Sequence, residues 1–120
     1  MKRNWEVIKE ILIAVEGSES PLNAKITLES FDDSKLDVYY YHFDMLCGTN
    51  LVDSSIDMGQ HGIKYFNIQS LTFEGHDFLD TIRSDTVWNK VKELSMKKSI
   101  ELTFDSIKKL SALAITSLAS

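Results

Sequence analysis

The stretch from residue 71 to residue 93 constrains the fold most, because its apolar residues recur at steps of three and four. That spacing places side chains along one face of an α-helix. The members of this pattern are Phe78, Leu79, Ile82, Val87, Trp88 and Val91. Polar residues at 83–86 interrupt it, so the stretch predicts two consecutive helices. We expect it to be the most deeply packed part of the protein.

The totals are those of a folded domain rather than a disordered chain. The chain has 120 residues, of which 43% are hydrophobic and 26% charged, enough for one hydrophobic core. Its one cysteine, Cys47, cannot close an internal disulfide or form a multi-cysteine zinc site, which suits a reducing compartment. We find neither a secretory signal nor a run near the ~20 apolar residues that span a bilayer. The expectation is a cytoplasmic protein without membrane contact.

The N-terminal residues predict a helix followed by a short strand. Asn4 is a suitable N-cap for a helix that runs to about Glu16, with apolar and charged residues on opposite faces. Gly17 can end this helix in a left-handed conformation, and Pro21 prevents its continuation. Residues 25–28 alternate polar and apolar side chains, which is typical of a strand.

A second helix and a β-hairpin follow. Ser34 is the predicted N-cap of a helix over residues 35–47, and Asn50 is the predicted left-handed residue after it. Its inward stripe is predicted as Leu36, Tyr39, Phe43 and Leu46. Residues 51–68 contain two strand-like runs joined by a glycine-containing loop at 57–62, which predicts a hairpin with a flexible tip.

Three further helices complete the predicted order. Thr72 is the expected N-cap of a helix to Ile82, a second helix runs through Trp88, and Thr103 caps the last one. The predicted class is α+β and winged-helix-like, with a small sheet made of the short strand and the wing hairpin, and with additional C-terminal helices. We expect a single domain over residues 1–120, with a core at 1–82 and a helical extension at 83–120.

Particular motifs support a family resemblance. The phrase Leu71-Thr-x-x-Gly75-x-x-x-Leu79 resembles the segment that follows the wing in winged-helix regulators. The start Met1-Lys-Arg, the pair Tyr41-His42 and the block over residues 72–92 resemble the bacterial and phage domain-of-unknown-function family 2513. The resemblance covers nearly the whole chain. It implies a fold and no mechanism, because that family has no established activity.

A winged helix raises the expectation of a transcription-related, double-stranded-DNA-binding protein. The candidate nucleic-acid contacts are Lys2, Arg3, Lys35, Tyr40, Tyr41, His61 and Lys64. The charge pattern opposes this reading, because residues 1–82 carry six Lys or Arg against fourteen Asp or Glu, and phosphate contacts dominate DNA affinity. Asp37 and Asp44 are expected on the exposed side of the presumed recognition helix, where a DNA reader presents cationic or amide groups.

The alternative is a protein-interaction adaptor whose acidic N-terminal face meets a basic partner. Residues 83–120 are basic by comparison, with seven Lys or Arg against four Asp or Glu. The last helix carries no charge after Lys109, so we expect it to be buried in its own core or against a second copy. The candidate homodimer residues are Leu110, Leu113, Ile115 and Leu118.

Enzymatic chemistry is the least supported class. His76 and Asp80 lie four residues apart on one helix face, but a metal site needs three or four ligands and no third is identified. Cys47 lies at the C-terminal end of a helix, where the dipole raises a thiol pKa, and it lacks an identifiable histidine partner. No phosphate-binding loop, nucleophile elbow or zinc signature is present. We therefore expect no catalytic residue, metal or cofactor.

Overall fold

The computed structural model describes residues 2–18 and 26–119, without the side chains of Glu29 and Asp33. Within these ranges the regular elements are α1 Trp5–Ser18, α2 Leu36–Cys47, β1 Val52–Met58, β2 Lys64–Leu71, α3 Phe73–Arg83, α4 Asp85–Lys98 and α5 Phe104–Ala119. Short 3-10 turns lie at Leu28–Ser30, Asp33–Lys35 and Gln60–Gly62. The predicted α+β class is confirmed, and the element order is consistent with a winged-helix-like arrangement.

Helix α1 begins where the sequence predicts. The side-chain oxygen of Asn4 accepts hydrogen bonds from the backbone amides of Glu6 (2.9 Å) and Val7 (3.4 Å), which are donors that a helix start leaves unpaired. The predicted end at Gly17 is wrong, because α1 continues through this glycine to Ser18. The rest of the predicted loop, with Pro21, lies outside the described residues.

Strands β1 and β2 form the predicted antiparallel hairpin. Their register runs from Val52 opposite Leu71 to Met58 opposite Lys64, with one irregularity between residues 53 and 54. At the tip, His61 (φ 59°) and Gly62 (φ 74°) adopt left-handed conformations. A left-handed pair turns the chain sharply, so these residues reverse its direction between the strands.

The predicted short strand at 25–28 is reduced to one residue within the described chain. Ile26 forms an isolated bridge to Ile68, in which each backbone amide donates to the other residue's carbonyl (2.9 and 3.0 Å). The next residue, Thr27, accepts from the backbone amide of Ser30 at 3.0 Å and enters the 3-10 turn. This local turn takes up the backbone groups that a longer strand would have used.

The start of α2 differs from the prediction. Ser34 is not its N-cap; the carboxylate of Asp32 accepts from the backbone amide of Ser34 (3.0 Å) and caps the preceding 3-10 turn, so α2 starts at Leu36. Leu36, predicted to point inward, is 47% exposed because it lies at this junction. Asn50 is not left-handed; among the described residues other than glycine, only His61 and Ser99 have positive φ.

The start of α3 is fastened to the segment before β1. The hydroxyl of Thr72 accepts from the amide of Gly75 (3.1 Å), as predicted for an N-cap, and donates to the carbonyl of Asn50 (2.6 Å). The amide of Thr72 donates to the carbonyl of Leu51 (3.0 Å). A Cβ on Gly75 would overlap this carbonyl oxygen. Thr72 and Gly75, which we call the α3 clamp, therefore bring two backbone segments into direct contact.

The chain divides into two compact units, one ending at His76 and the other starting at Asp77. In the first unit, α1 packs on β2 and α2. Its buried apolar side chains are Ile8, Ile11, Leu12, Val15, Ile26, Tyr39, Phe43, Leu46, Leu51, Val52, Phe66, Ile68 and Leu71. Ile8, Ile11 and Leu12 are fully buried, as are Leu79 and Val91. Burial therefore does not distinguish residues 71–93 as the most deeply packed part, and that expectation stays a prediction. The single-domain prediction stays a prediction.

In the second unit, α4 packs on α5. Ser84 caps α4 by accepting from the amide of Val87 (3.3 Å), and Thr103 caps α5 by accepting from the amide of Ser106 (3.0 Å). The buried apolar side chains of this unit are Phe78, Leu79, Ile82, Trp88, Val91, Ile107, Leu110 and Ala114. The predicted apolar pattern of residues 78–91 is therefore the core-facing stripe, apart from the half-buried Val87.

Candidate functional site

A groove of about 420 Å³ opens in the first unit between α2, the 3-10 turn Leu28–Ser30 and β2. It is lined by Thr27, Leu28, Leu36, Tyr40 and residues 63–67, and its walls are mainly apolar. Three of the lining side chains are well exposed, namely Leu36 (47%), Ile63 (48%) and Tyr65 (58%). Apolar side chains exposed around a concave surface are typical of binding sites.

Tyr40 forms one wall of this groove. Its ring packs edge-on against the ring of Phe66, with centroids 5.2 Å apart, and its hydroxyl accepts from the backbone amide of Lys64 (3.1 Å). The sequence predicted Tyr40 as an exposed DNA contact; the structure makes it half-buried and fixes its hydroxyl on β2. This contact ties α2 to the hairpin, so the groove is built from elements that hold each other in place.

Charges near the groove are partly neutralised. The ammonium of Lys64, a predicted phosphate contact, lies 3.0 Å from the carboxylate of Asp44. Such an exposed pair contributes only about 0–1 kcal/mol to stability, but it places a negative charge beside the cation. Asp37 and Lys35 are exposed at the start of α2. The side of α2 that a DNA reader would present to the major groove thus carries two carboxylates.

The first unit as a whole is acidic. Through residue 76 the sequence contains six Lys or Arg and twelve Asp or Glu. Hydrogen bonds from Ser34, first from its backbone amide, lower the pKa of Asp32 below its ordinary value, which favours the charged form of this carboxylate. A basic partner would be attracted to this unit and a polyanion repelled.

The other predicted DNA contacts lie on different elements, because Lys2 and Arg3 precede α1, Tyr41 is in α2 and His61 is at the hairpin tip. Lys2 is exposed, and the guanidinium of Arg3 lies 5.4 Å from the ring centroid of Trp5. His61 is exposed at the hairpin tip. Tyr41 is half-buried, with its ring edge-on to the ring of His42 at 5.1 Å.

His42 has a structural role that sequence reasoning missed. It is fully buried, its Nε2 accepts from the backbone amide of Asn4 (2.9 Å), and its Nδ1 lies 2.7 Å from the carbonyl of Val38. Because Nε2 accepts, the ring proton resides on Nδ1 and is donated to Val38. The available signal was its position three residues after Tyr39, on the inward side of α2. His42 thus connects the start of α1 to the middle of α2.

Tyr39 and Cys47 have perturbed acidities with structural causes. Tyr39 is buried, as predicted, and its hydroxyl donates to the carboxylate of Glu10 (2.7 Å). This hydrogen bond, with desolvation, raises the pKa of Tyr39 to about 12. Burial raises the pKa of the half-buried Cys47 thiol, against a hydrogen bond with Ser54 that lowers it. A raised thiol pKa reduces the fraction of reactive thiolate.

The histidines do not gather ligands for a metal within the described ranges. Nδ1 of His76 lies 3.9 Å from a carboxylate oxygen of Glu16, while the carboxylate of Asp80 pairs with Arg83 at 2.5 Å. No group of three or more His, Cys, Asp or Glu side chains in residues 2–18 and 26–119 is placed to hold a metal ion. Across the same residues, no helix is both long and apolar enough to cross a bilayer.

Comparison with known proteins supplies the family. The family model described as "Hypothetical protein (DUF2513)" matches residues 2–101. The chain belongs to the DUF2513 family. An uncharacterized protein of Haemophilus influenzae is 34% identical over 116 residues, which cover 97% of each chain. No solved structure matches this chain.

The family match places the groove and the α3 clamp inside the DUF2513 region, because both lie between residues 27 and 75. Helix α5, Phe104–Ala119, lies beyond it. On α5, Leu113 (50% exposed), Ile115 (55%) and Leu118 (46%) remain candidates for contact with a second copy. Leu110 does not, because it is 2% exposed and packs inside its own unit.

Proposed function

We propose that this DUF2513 protein is a non-catalytic module that binds a protein partner in the groove between α2 and β2. The observation that carries the proposal is the exposure of Leu36, Ile63 and Tyr65 around that groove. Exposing such side chains to water is unfavourable by ~25 cal/mol per Å² of apolar surface, so a partner that covers them gains binding energy. The acidic first unit supports a partner with basic residues near its apolar contacts.

DNA binding by the same surface is the less supported alternative. It would require Lys64 to leave Asp44, since the two are 3.0 Å apart, and would bring Asp37 close to phosphate. If duplex DNA is bound, Lys64→Ala weakens binding at all sequences and reduces its dependence on salt. Absence of a mobility shift with any duplex at low salt removes this alternative.

The proposal is tested by affinity purification of the full chain from cells that naturally contain it, with quantitative mass spectrometry. Ile63→Glu places a charge in the groove, whereas Ile56→Glu places one on the neighbouring strand outside the groove lining; both positions are similarly exposed, at 48% and 43%. We expect a protein that is recovered with wild type and Ile56→Glu, also after nuclease treatment, and is lost with Ile63→Glu. Equal recovery with all three chains, or recovery that nuclease abolishes, would refute the proposal.

A further inference from the structure

We infer that the partner contributes an extended segment that pairs, as an added β-strand, with the edge of β2 at Phe66. This inference rests on the proposed function and specifies what kind of ligand the groove takes. It concerns the backbone of β2, whereas the proposed function concerns the apolar lining. Strand addition uses main-chain hydrogen bonds for affinity and side-chain pockets for specificity.

The bridge to Ile26 identifies the edge of β2 that faces away from β1. Both backbone groups of Ile68 are hydrogen-bonded to Ile26, at 2.9 and 3.0 Å, and so point away from β1. In an antiparallel pair this orientation repeats every second residue. The amide and carbonyl of Phe66 therefore face the same edge as those of Ile68. The amide of Lys64 follows the same alternation, since it donates to the hydroxyl of Tyr40 on α2.

The protein's own chain leaves this edge before it reaches Phe66. Thr27 turns into the 3-10 helix Leu28–Ser30, where its amide donates to the hydroxyl of Ser30 at 3.3 Å. The bridge at Ile26 is consequently isolated, and β2 has no strand partner beside Phe66 within the described ranges. An edge that presents backbone donors and acceptors is a template for another strand.

The occupant must satisfy three conditions that the groove imposes. The partner residue opposite Phe66 must be extended, because the amide and the carbonyl of one residue lie on the same side of the chain in an extended conformation. The occupant must carry apolar side chains toward Leu36 and Ile63, which line the groove. Basic residues at its ends would suit a unit with six cations and twelve acidic residues. A short, apolar, Lys- or Arg-flanked segment of a partner protein meets all three.

The test uses phage-displayed random twelve-residue peptides, selected on the full chain and counter-selected on Ile63→Glu. The most enriched peptide is synthesised and its affinity measured by calorimetry, alongside copies in which one backbone nitrogen at a time is methylated. We expect methylation of the nitrogen that donates to Phe66 to weaken binding by about tenfold or more, and methylation of its neighbours, which point away, to weaken it less than about threefold. Amide exchange at Phe66 should also slow when the peptide is bound.

The controls separate this inference from the proposed function. Ile56→Glu should bind the peptide like wild type, and thermal unfolding of Ile63→Glu must show a folded chain; Leu36→Glu is a second groove variant. A peptide that requires the groove but tolerates methylation at every nitrogen overturns strand addition and leaves the proposed function standing. Failure to select any groove-dependent peptide also overturns strand addition. The proposed function is then judged by the purification experiment alone.

Discussion

Gly75→Ala tests the α3 clamp, because two effects of known sign oppose each other at this position. Gly75 lies within α3, where replacing glycine by alanine normally stabilises a helix by about 0.5–1 kcal/mol. Here the added methyl group would overlap the carbonyl oxygen of Leu51. That carbonyl is backbone and already accepts from the amide of Thr72, so it cannot move without loss.

The expected magnitude follows from these contacts. Forcing an extra methyl group into a packed site costs about 1–3 kcal/mol. Displacing the Leu51 carbonyl from Thr72 adds about 0.5–1.5 kcal/mol for the weakened hydrogen bond. After the gain in helix propensity is subtracted, we expect the free energy of unfolding to fall by about 0.5–4 kcal/mol. For a chain of this size each kcal/mol lowers Tm by about 3–5 °C.

The assay is urea unfolding at 25 °C followed by circular dichroism, with Gly17→Ala as the matched control. Gly17 is also in a helix, α1, but a Cβ there meets nothing within 4 Å. Its alanine variant should be unchanged or more stable by up to about 1 kcal/mol. The reasoning is refuted if Gly75→Ala is as stable as wild type, or if both variants lose the same stability.

Three further predictions concern other parts of the structure. His42→Phe keeps a buried ring but leaves the amide of Asn4 without its acceptor, so we expect unfolding free energy to fall by about 1–3 kcal/mol in the same urea assay. Folding raises the pKa of Tyr39 from 10.0 to about 12. The neutral hydroxyl therefore stabilises the fold fully below pH 10, and this stabilisation declines as pH rises toward 12. Urea midpoints measured at each pH should show that Tyr39→Phe loses stability less steeply than wild type over that window. For the homodimer predicted from the exposed apolar side chains of α5, light scattering should give twice 13.7 kDa for the wild type and 13.7 kDa for Leu118→Lys.

Each of these predictions has a contrary outcome, and the first has a matched control variant. The control for His42→Phe is His61→Asn. His61 is exposed and has a left-handed backbone conformation, which Asn also tolerates, so this variant should change stability by less than about 0.5 kcal/mol. An unchanged His42→Phe would contradict the bridging role. Identical pH profiles for wild type and Tyr39→Phe would show that the hydrogen bond from Tyr39 to Glu10 does not cause the loss of stability at high pH. A monomeric wild type at high concentration would reject the predicted homodimer.

The features that sequence reasoning predicts well are those that depend on local chemistry. Asn4, Thr72 and Thr103 were identified as caps because a short polar side chain beside an apolar stripe satisfies helix-start amides wherever it occurs. The hairpin followed from two strand-like runs around a glycine-containing loop. The family resemblance was also confirmed by the match over residues 2–101.

The features it missed depend on contacts between distant residues. The strand at 25–28 was overestimated, because strand propensity does not reveal that Thr27 forms a competing turn with Ser30. Leu36 was assigned to the core from its spacing, although one extra 3-10 turn moves it to the groove. The pairing of Lys64 with Asp44 joins residues 20 apart in sequence, which no local pattern indicates.

The most direct test of the central claim is site-specific photo-crosslinking in cells that naturally contain the protein. Benzoylphenylalanine is incorporated in place of Leu36, which lines the groove, or in place of Ile56, which is similarly exposed outside its lining. The groove account predicts a discrete protein adduct from position 36 and none from position 56. Adducts of equal yield at both positions, or no protein adduct at position 36, would contradict it.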